Sequence, residues 1–84
     1  MEPKLLDVGT GSGAIAIAWA SSVLGGSFVA TDMSAEALEV ATANAERHGV
    51  ADRGTMLQGD LYEPVRAYGR FDLVVSNPPY VSPE

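Results

Sequence analysis

The chain has 84 residues, of which 46% are hydrophobic and 19% are charged, and it carries a net charge of −6 at pH 7. The length excludes more than one domain, and the composition argues against disorder. The five Lys and Arg residues are scattered and are outnumbered by eleven acids, which disfavours direct binding of nucleic acid. With no cysteine, one histidine and no apolar run of roughly 20 residues, the sequence predicts a soluble cytoplasmic protein that holds no metal and enters no membrane.

The first predicted element is a buried strand that runs into a glycine-rich loop. Lys4 to Val8 is short and largely apolar, as is typical of a strand in a parallel sheet. The loop that follows reads Asp7-Val8-Gly9-Thr10-Gly11-Ser12-Gly13. Glycines at such a junction permit positive φ, close approach of a ligand and close packing of the next helix, whose first N–H groups point at the ligand. A plain tight turn is the alternative interpretation.

A helix and a second strand complete a βαβ unit. The pattern from Ser12 to about Leu24 predicts a helix hidden against the sheet, and Gly25-Gly26 ends it. Trp19 on this helix is interpreted as core packing and not as a ligand contact. Ser27 to Thr31 predicts a second buried strand, and the unit should cross over right-handedly.

Asp32 follows the second strand, about 20 residues after the glycine loop. Nucleoside and dinucleotide sites place an acid here to accept hydrogen bonds from ribose hydroxyls. The alternative is capping of the next helix, since both Asp32 and Ser34 precede it. Ser34 is better placed to cap, which would leave Asp32 free for the ribose.

The second predicted helix runs from Ala35 to His48 and is closed by Gly49. One face of this helix is predicted to carry Leu38, Ala41, Ala45 and His48. His48 lies at the helix C-terminus, where a positive charge is favourable, and it is interpreted in that way and not as a catalyst.

Two further strands are predicted, Thr55 to Gln58 and Phe71 to Val75, joined through a short connection at Leu61 to Tyr68. The predicted fold is therefore α/β, a Rossmann-like three-layer arrangement with a parallel sheet in the order 3-2-1-4. Its ligand site should lie at the carboxyl edge, between the first and fourth strands.

Three acids are predicted to meet at that edge, because Asp7, Asp32 and Asp60 each lie at the end of a strand. A rim of carboxylates suits amines and hydroxyls and repels phosphate. It therefore weighs against a nicotinamide dinucleotide, although the loop satisfies the looser G-x-G-x-x-A pattern.

A rigid polar segment, Ser76-Asn77-Pro78-Pro79-Tyr80, follows the fourth strand. The two prolines fix φ at successive residues and hold the residue before them extended, so the carbonyls point in set directions. Such a segment can accept hydrogen bonds from a substrate. Simple termination of the strand is the alternative.

The glycine loop, Asp32 and the Asn-Pro-Pro-Tyr segment together resemble the class I S-adenosylmethionine-dependent methyltransferases. Among these the chain is most similar to the HemK-type protein-glutamine methyltransferases, which modify the Gly-Gly-Gln loop of peptide-chain release factors. The similar stretches are Leu5 to Gly13, Ala30 to Ser34, Ala43-Asn44-Ala45, Gly59-Asp60-Leu61 and Phe71 to Val81.

The resemblance implies S-adenosylmethionine as the cofactor and a division of roles among the residues. Gly9 to Gly13 would pass under its methionine part, Asp32 would hold the ribose, and Asp60 with Leu61 would border the adenine. The implied cofactor-binding set is Asp7, Gly9, Thr10, Gly11, Ser12, Gly13, Asp32, Met33, Asp60 and Leu61. The implied catalytic residues are Asn77, Pro78 and Tyr80, which with Pro79 would also bind the substrate amide.

Complete enzymes of this family have further strands after Asn-Pro-Pro-Tyr and a helical domain before the glycine loop. We therefore expect the chain to be the cofactor-binding half of such an enzyme and to be inactive by itself. The implied partner of the whole enzyme is a release factor. The apolar fourth strand would become an edge in this chain, which predicts a homodimer or larger assembly.

Two other functions remain open on the sequence. One is methylation of an exocyclic amine of a nucleic-acid base, which can use the same motif. The other is a fold fragment without catalysis that associates with itself.

Overall fold

A computed structural model describes residues 2–59 and 70–76 of the chain. It shows a four-stranded sheet in the spatial order β3-β2-β1-β4, in which every neighbouring pair is parallel. The elements are β1 Lys4–Val8, α1 Ala14–Ser22, β2 Ser27–Asp32, α2 Ala35–Arg47, β3 Gly54–Gln58 and β4 Leu73–Ser76. The predicted α/β class and strand order are therefore confirmed.

The two central strands carry the core, because their successive side chains point to opposite faces of the sheet. On one face, Leu5 and Phe28 are buried beneath α1 and α2 together with a cluster of small and branched side chains. On the other face, Leu6, Val8 and Val29 form a second buried cluster. The outer strands β3 and β4 lack fully buried residues, so the sheet is most tightly enclosed where β1 meets β2.

Helix α1 is apolar and nine residues long, shorter than the predicted segment because Ser12 and Gly13 belong to the loop and the helix ends at Ser22, before Val23 and Leu24. Trp19 packs partly buried against the main core cluster, in agreement with its predicted core role. Gly26 fits beneath it, since a Cβ at that position would lie 2.8 Å from the Trp19 ring. In the described part of the chain, no helix is long and apolar enough to cross a membrane.

Helix α2 begins as predicted, with the Ser34 hydroxyl accepting a hydrogen bond from the Ala37 N–H at 3.1 Å. Leu38, Ala41 and Ala45 are buried on its inner face. His48 was predicted on the same face, but unlike these three residues it follows the last helical residue and its side chain is exposed. Its ring Nδ1 lies 2.9 Å from the Asn44 carbonyl oxygen.

The start of β3 is tied to the end of α1 by an arginine that sequence patterns did not single out. Arg53 lies in a short 3₁₀ turn, Ala51–Arg53, that was not predicted. Its guanidinium donates to the Ala20 and Gly26 carbonyls at 2.9 Å and to the Val23 carbonyl at 3.3 Å. It thus satisfies backbone acceptors at a helix C-terminus, where positive charge is also favourable.

The fourth strand begins two residues later than predicted. Phe71 packs against the second core cluster instead of extending the strand. Asp72 binds the start of β1 twice: its N–H donates to the Lys4 carbonyl at 2.8 Å, and its carboxylate accepts from the Lys4 N–H at 2.8 Å. Regular pairing with β1 therefore starts only at Leu73.

Candidate functional site

The glycine loop lies at the carboxyl edge of the sheet, at the point where the chain changes direction across it. The connection after β1 leads to β2 on one side of β1, whereas β4 pairs with β1 on the other side. Crevices at such switch points are where open parallel sheets bind ligands. The predicted position of the ligand site therefore agrees with the topology.

The backbone of the loop is anchored to the end of β2. The N–H groups of Gly9 and Thr10 both donate to the Thr31 carbonyl at 2.9 Å, and the Gly13 N–H donates to the Thr10 carbonyl at 2.9 Å. The glycine φ angles of 73°, 59° and 83° lie in the left-handed region. Residues with a Cβ rarely adopt that region, so the loop path requires glycine.

Two of the glycines have distinct spatial roles. A Cβ at Gly13 would lie 3.1 Å from the Ala41 Cβ and 3.2 Å from the Ile17 side chain, so this glycine allows α1 and α2 to pack closely. A Cβ at Gly11 would meet none of the described residues within 4 Å. As far as residues 2–59 and 70–76 are concerned, the space above Gly11 is therefore open to a ligand that approaches the backbone.

Asp32 joins the loop to the start of α2. Its Oδ2 accepts a hydrogen bond from the Gly11 N–H at 2.9 Å, and its Oδ1 accepts one from the Ser34 N–H at 2.9 Å. Ser34 caps α2 as predicted, yet the Asp32 carboxylate is not free, because it holds the loop. Each oxygen keeps a further lone pair, and the side chain is partly exposed, so it can still accept from a hydroxyl.

Asp7 lies beneath the loop, with only 1% of its surface exposed. Its Oδ2 accepts a hydrogen bond from the Thr10 hydroxyl at 2.8 Å, while Oδ1 has no hydrogen-bond partner within the described residues. Burial raises the pKa of Asp7, and the negative charge of Asp32 acts in the same direction. The Thr10 hydroxyl and the Ala16 backbone amide oppose this rise, although that amide is not a hydrogen-bond partner of Oδ1.

Asn44 reaches the loop from α2, and sequence reasoning gave it no role of its own. Its Nδ2 donates to the Ser12 carbonyl at 2.9 Å. The one available signal was its position, because asparagine is a poor residue for the interior of a helix built otherwise of good helix formers.

Among the other predicted site residues, Met33 is the one that lies within the described ranges. Met33 follows Asp32 with its side chain 68% exposed, and its carbonyl accepts from the Gln58 side chain at 3.1 Å. The remaining predicted residues lie outside the described ranges, as does the predicted connection Leu61 to Tyr68; they are Asp60, Leu61, Asn77, Pro78, Pro79 and Tyr80.

The described part of the site therefore consists of the Gly11 backbone, which no described side chain covers, and the neighbouring Asp32 carboxylate. Of the predicted rim of acids, Asp32 is partly exposed and Asp7 is buried. The arrangement offers hydrogen-bond acceptors to a ligand with hydroxyl or amino groups, together with the N-terminus of α1.

Comparison with known proteins agrees with this geometry. The family model for the methyltransferase small domain matches residues 1–84. The chain is 51% identical over 82 residues to a release factor glutamine methyltransferase of Bordetella pertussis, covering 98% of this chain and 30% of that protein. It is also 51% identical over 82 residues to the Bacillus subtilis protein of that name, covering 96% and 28%.

A solved structure shares the fold. It is an RNA methyltransferase of Salinibacter ruber in complex with S-adenosylhomocysteine, matched with a TM-score of 0.68 and 36% identity over 73% of this chain and 39% of that one. The chain spans about 30% of the length of the curated relatives that it matches.

We predict that Asp7 makes stability depend on pH. Its pKa in the folded chain lies above the ordinary value of 3.8, so protonation favours the folded state. The free energy of unfolding of the parent chain, minus that of Asp7→Asn, should rise as pH falls through the raised pKa and level off below 3.8. Urea unfolding of both proteins across this pH range measures the difference.

The Thr10→Val variant provides the matched comparison. It removes a hydrogen bond that lowers the pKa of Asp7, so the same rise should begin at a higher pH. Parallel stability curves for the parent chain and Asp7→Asn would contradict the prediction.

Proposed function

Because the chain belongs to the methyltransferase small domain family, we propose that it is the S-adenosylmethionine-binding part of a release factor glutamine methyltransferase. The observation that carries this proposal is 51% identity to two release factor glutamine methyltransferases over almost the whole chain. The acceptor would be the side-chain amide nitrogen of a glutamine in a peptide-chain release factor. A cytoplasmic location is in keeping with the absence of cysteine.

The described residues fit S-adenosylmethionine on physical grounds. No described residue lies within 4 Å of where a Gly11 Cβ would be, which leaves room for the methionine part to approach the backbone. The partly exposed Asp32 carboxylate has lone pairs left for ribose hydroxyls, and the exposed Met33 offers an apolar side chain beside it. Asp60 and Leu61 would border the adenine. The match to a structure in complex with S-adenosylhomocysteine supports this assignment.

The proposed chemistry assigns one task to each residue after β4. When bound, the cofactor supplies an electrophilic methyl group on a sulfonium. A carboxamide nitrogen is a weak nucleophile, since its lone pair is delocalised into the carbonyl. The Asn77 side-chain oxygen and the Pro78 carbonyl would accept the two amide N–H groups, which orients the nitrogen and stabilises the positive charge that develops on it. Tyr80 would stack on the planar amide, and Pro79 would keep the segment rigid.

An exocyclic amine of a nucleic-acid base is the second candidate acceptor. The similarity to an RNA methyltransferase at 36% identity favours it. The net charge of −6 weighs against it, because nucleic-acid binding depends on positive charge along the phosphate backbone. The glutamine acceptor therefore remains the leading proposal.

Methyl transfer in the complete protein that carries this sequence separates the two acceptors. We expect transfer of label to a Gly-Gly-Gln peptide, none to an adenine oligonucleotide, and loss of transfer when the glutamine is replaced by glutamate. An Asn77→Ala variant should bind the cofactor normally and lose transfer. Label on the oligonucleotide alone would favour the second candidate.

Asp32→Ala should weaken binding of S-adenosylhomocysteine by about 1–3 kcal/mol, because the ribose hydroxyls lose a charged acceptor and the Gly11 N–H loses its partner. Titration calorimetry of the complete protein measures the loss. Asp52→Ala, which removes an exposed carboxylate from the 3₁₀ turn, is the matched control and should leave the affinity unchanged. Equal affinity of Asp32→Ala and the parent protein would refute the role of Asp32.

We also infer that the 84-residue chain associates with itself through β4. Leu73 and Val74 are 45% and 56% exposed, and β1 is the one strand that pairs with β4 among the described residues. An apolar strand with an unpaired edge invites pairing with a second chain.

Sedimentation of the 84-residue chain at high micromolar concentration should therefore show dimers or larger species. Val74→Lys places a charge on the edge strand and should shift the chain towards monomer. Val40→Lys adds the same charge at an exposed position on α2 and serves as the control. A parent chain that stays monomeric while its β4 amides resist hydrogen exchange would argue against self-association.

A further inference from the structure

The glycine loop is held one peptide group at a time. The Thr10–Gly11 peptide is bound at both ends, since its carbonyl accepts from the Gly13 N–H and its N–H donates to Asp32. The Ser12–Gly13 peptide is also bound at both ends, since its N–H donates to the Thr10 carbonyl and its carbonyl accepts from Asn44. Neither peptide can rotate without breaking two hydrogen bonds.

The peptide between these two, Gly11–Ser12, makes no hydrogen bond with the described residues. It is the central peptide of a turn closed by the Gly13 N–H on the Thr10 carbonyl. Gly11 has a φ of 59° and Ser12 has no positive φ, which is the pattern of a type II′ turn. The Ser12 N–H and the Gly11 carbonyl, which make no hydrogen bond with the described residues, are thus available to a ligand, and the flanking peptides set their direction.

We propose that Asn44 is a positioning residue for the cofactor, acting through the Ser12 carbonyl; this inference rests on the proposed function. Without its donor, the Ser12–Gly13 peptide is restrained at one end, next to a glycine that permits many conformations. Rotation of that peptide changes the backbone of Ser12 and turns the Gly11–Ser12 peptide away from its ligand-facing direction.

The geometry of α2 suits this role because the helix is a fixed support. Ala41 and Ala45 flank Asn44 and are fully buried, and Gly13 lies close against Ala41. The Asn44 side-chain amide therefore extends from a well-packed helix, α2, and holds one conformation of the glycine loop. The hydrogen bond from Asn44 to the Ser12 carbonyl connects α2 directly to the glycine loop, although the two residues are 32 positions apart in the sequence.

The test compares binding of S-adenosylhomocysteine by the complete protein with Asn44→Asp, Asn44→Ala and Ala43→Asp. Asn44→Asp keeps the side-chain shape but places a carboxylate against the Ser12 carbonyl, so the affinity should fall by about tenfold or more. Asn44→Ala removes the donor without adding a charge and should lower the affinity about three- to tenfold. Ala43→Asp adds the same charge at the neighbouring exposed position of α2 and should bind as the parent does.

Two measurements on the ligand-free protein separate positioning from general stability. Amide exchange at Gly13 should speed up about three- to tenfold in Asn44→Ala, since the bond to the Thr10 carbonyl opens more often. The carbonyl ¹³C resonance of Ser12 should shift, while amides in β1 and β2 keep their exchange rates. If Asn44→Asp fails to fold, Asn44→Ala decides the outcome by the same measurements.

Equal affinity of the parent protein and Asn44→Ala, with Asp32→Ala weakened, would overturn the role of Asn44 and leave the proposed function intact. Uniformly faster exchange across the sheet would also overturn it, because the effect would then be one of global stability. Failure of the parent protein to bind S-adenosylhomocysteine would overturn the proposed function, and the positioning role would fall with it.

Discussion

Three consecutive N–H groups of the glycine loop bind to the last two residues of β2, and the rest of the site depends on this contact. Gly9 and Thr10 share the Thr31 carbonyl, and Gly11 uses the Asp32 carboxylate. Parallel pairing of β1 with β2 brings the two strand ends to the same level, with Val8 opposite Thr31. The loop therefore takes its shape from its neighbour in the sheet as well as from its own glycines.

This contact gives Asp32 a structural function in addition to its proposed one, and a single substitution cannot separate the two. The carboxylate organises the loop and is also the proposed acceptor for ribose hydroxyls. Charge-assisted hydrogen bonds are stronger than neutral ones, so one acid at this position can stabilise the free loop and still attract a ligand. A change in affinity on removing Asp32 thus combines lost contact with lost loop order.

Asp7 differs from Asp32, because its hydrogen bond to the loop requires a buried carboxyl whose ionised form destabilises the folded chain. A buried carboxyl with one oxygen unpartnered by described residues disfavours the ionised form, which is why its pKa is raised. Its other oxygen fixes Thr10, the residue whose carbonyl closes the loop turn. We interpret Asp7 as a residue that acts on the loop from below, since its burial keeps it away from the ligand-facing surface.

The sequence by itself determined the fold class, the strand order and the position of the glycine loop. These follow from local signals, namely short apolar strands, glycines that end helices and permit left-handed φ, and the handedness of parallel crossovers. The bounds of β1 at Lys4–Val8 and the α2 cap at Ser34 were also predicted correctly. Both depend on residues that lie close together in the sequence.

The tertiary structure alone decided which side chains hold the loop and the helices in place. Asn44 binds Ser12, Asp32 binds Gly11, and Arg53 binds the end of α1, across separations of 32, 21 and up to 33 residues. His48, predicted on one face with Leu38, Ala41 and Ala45, is exposed where they are buried, because the helix ends just before it. A hydrogen bond between distant elements depends on both strand register and helix packing. Neither can be predicted from the spacing of residues along one element.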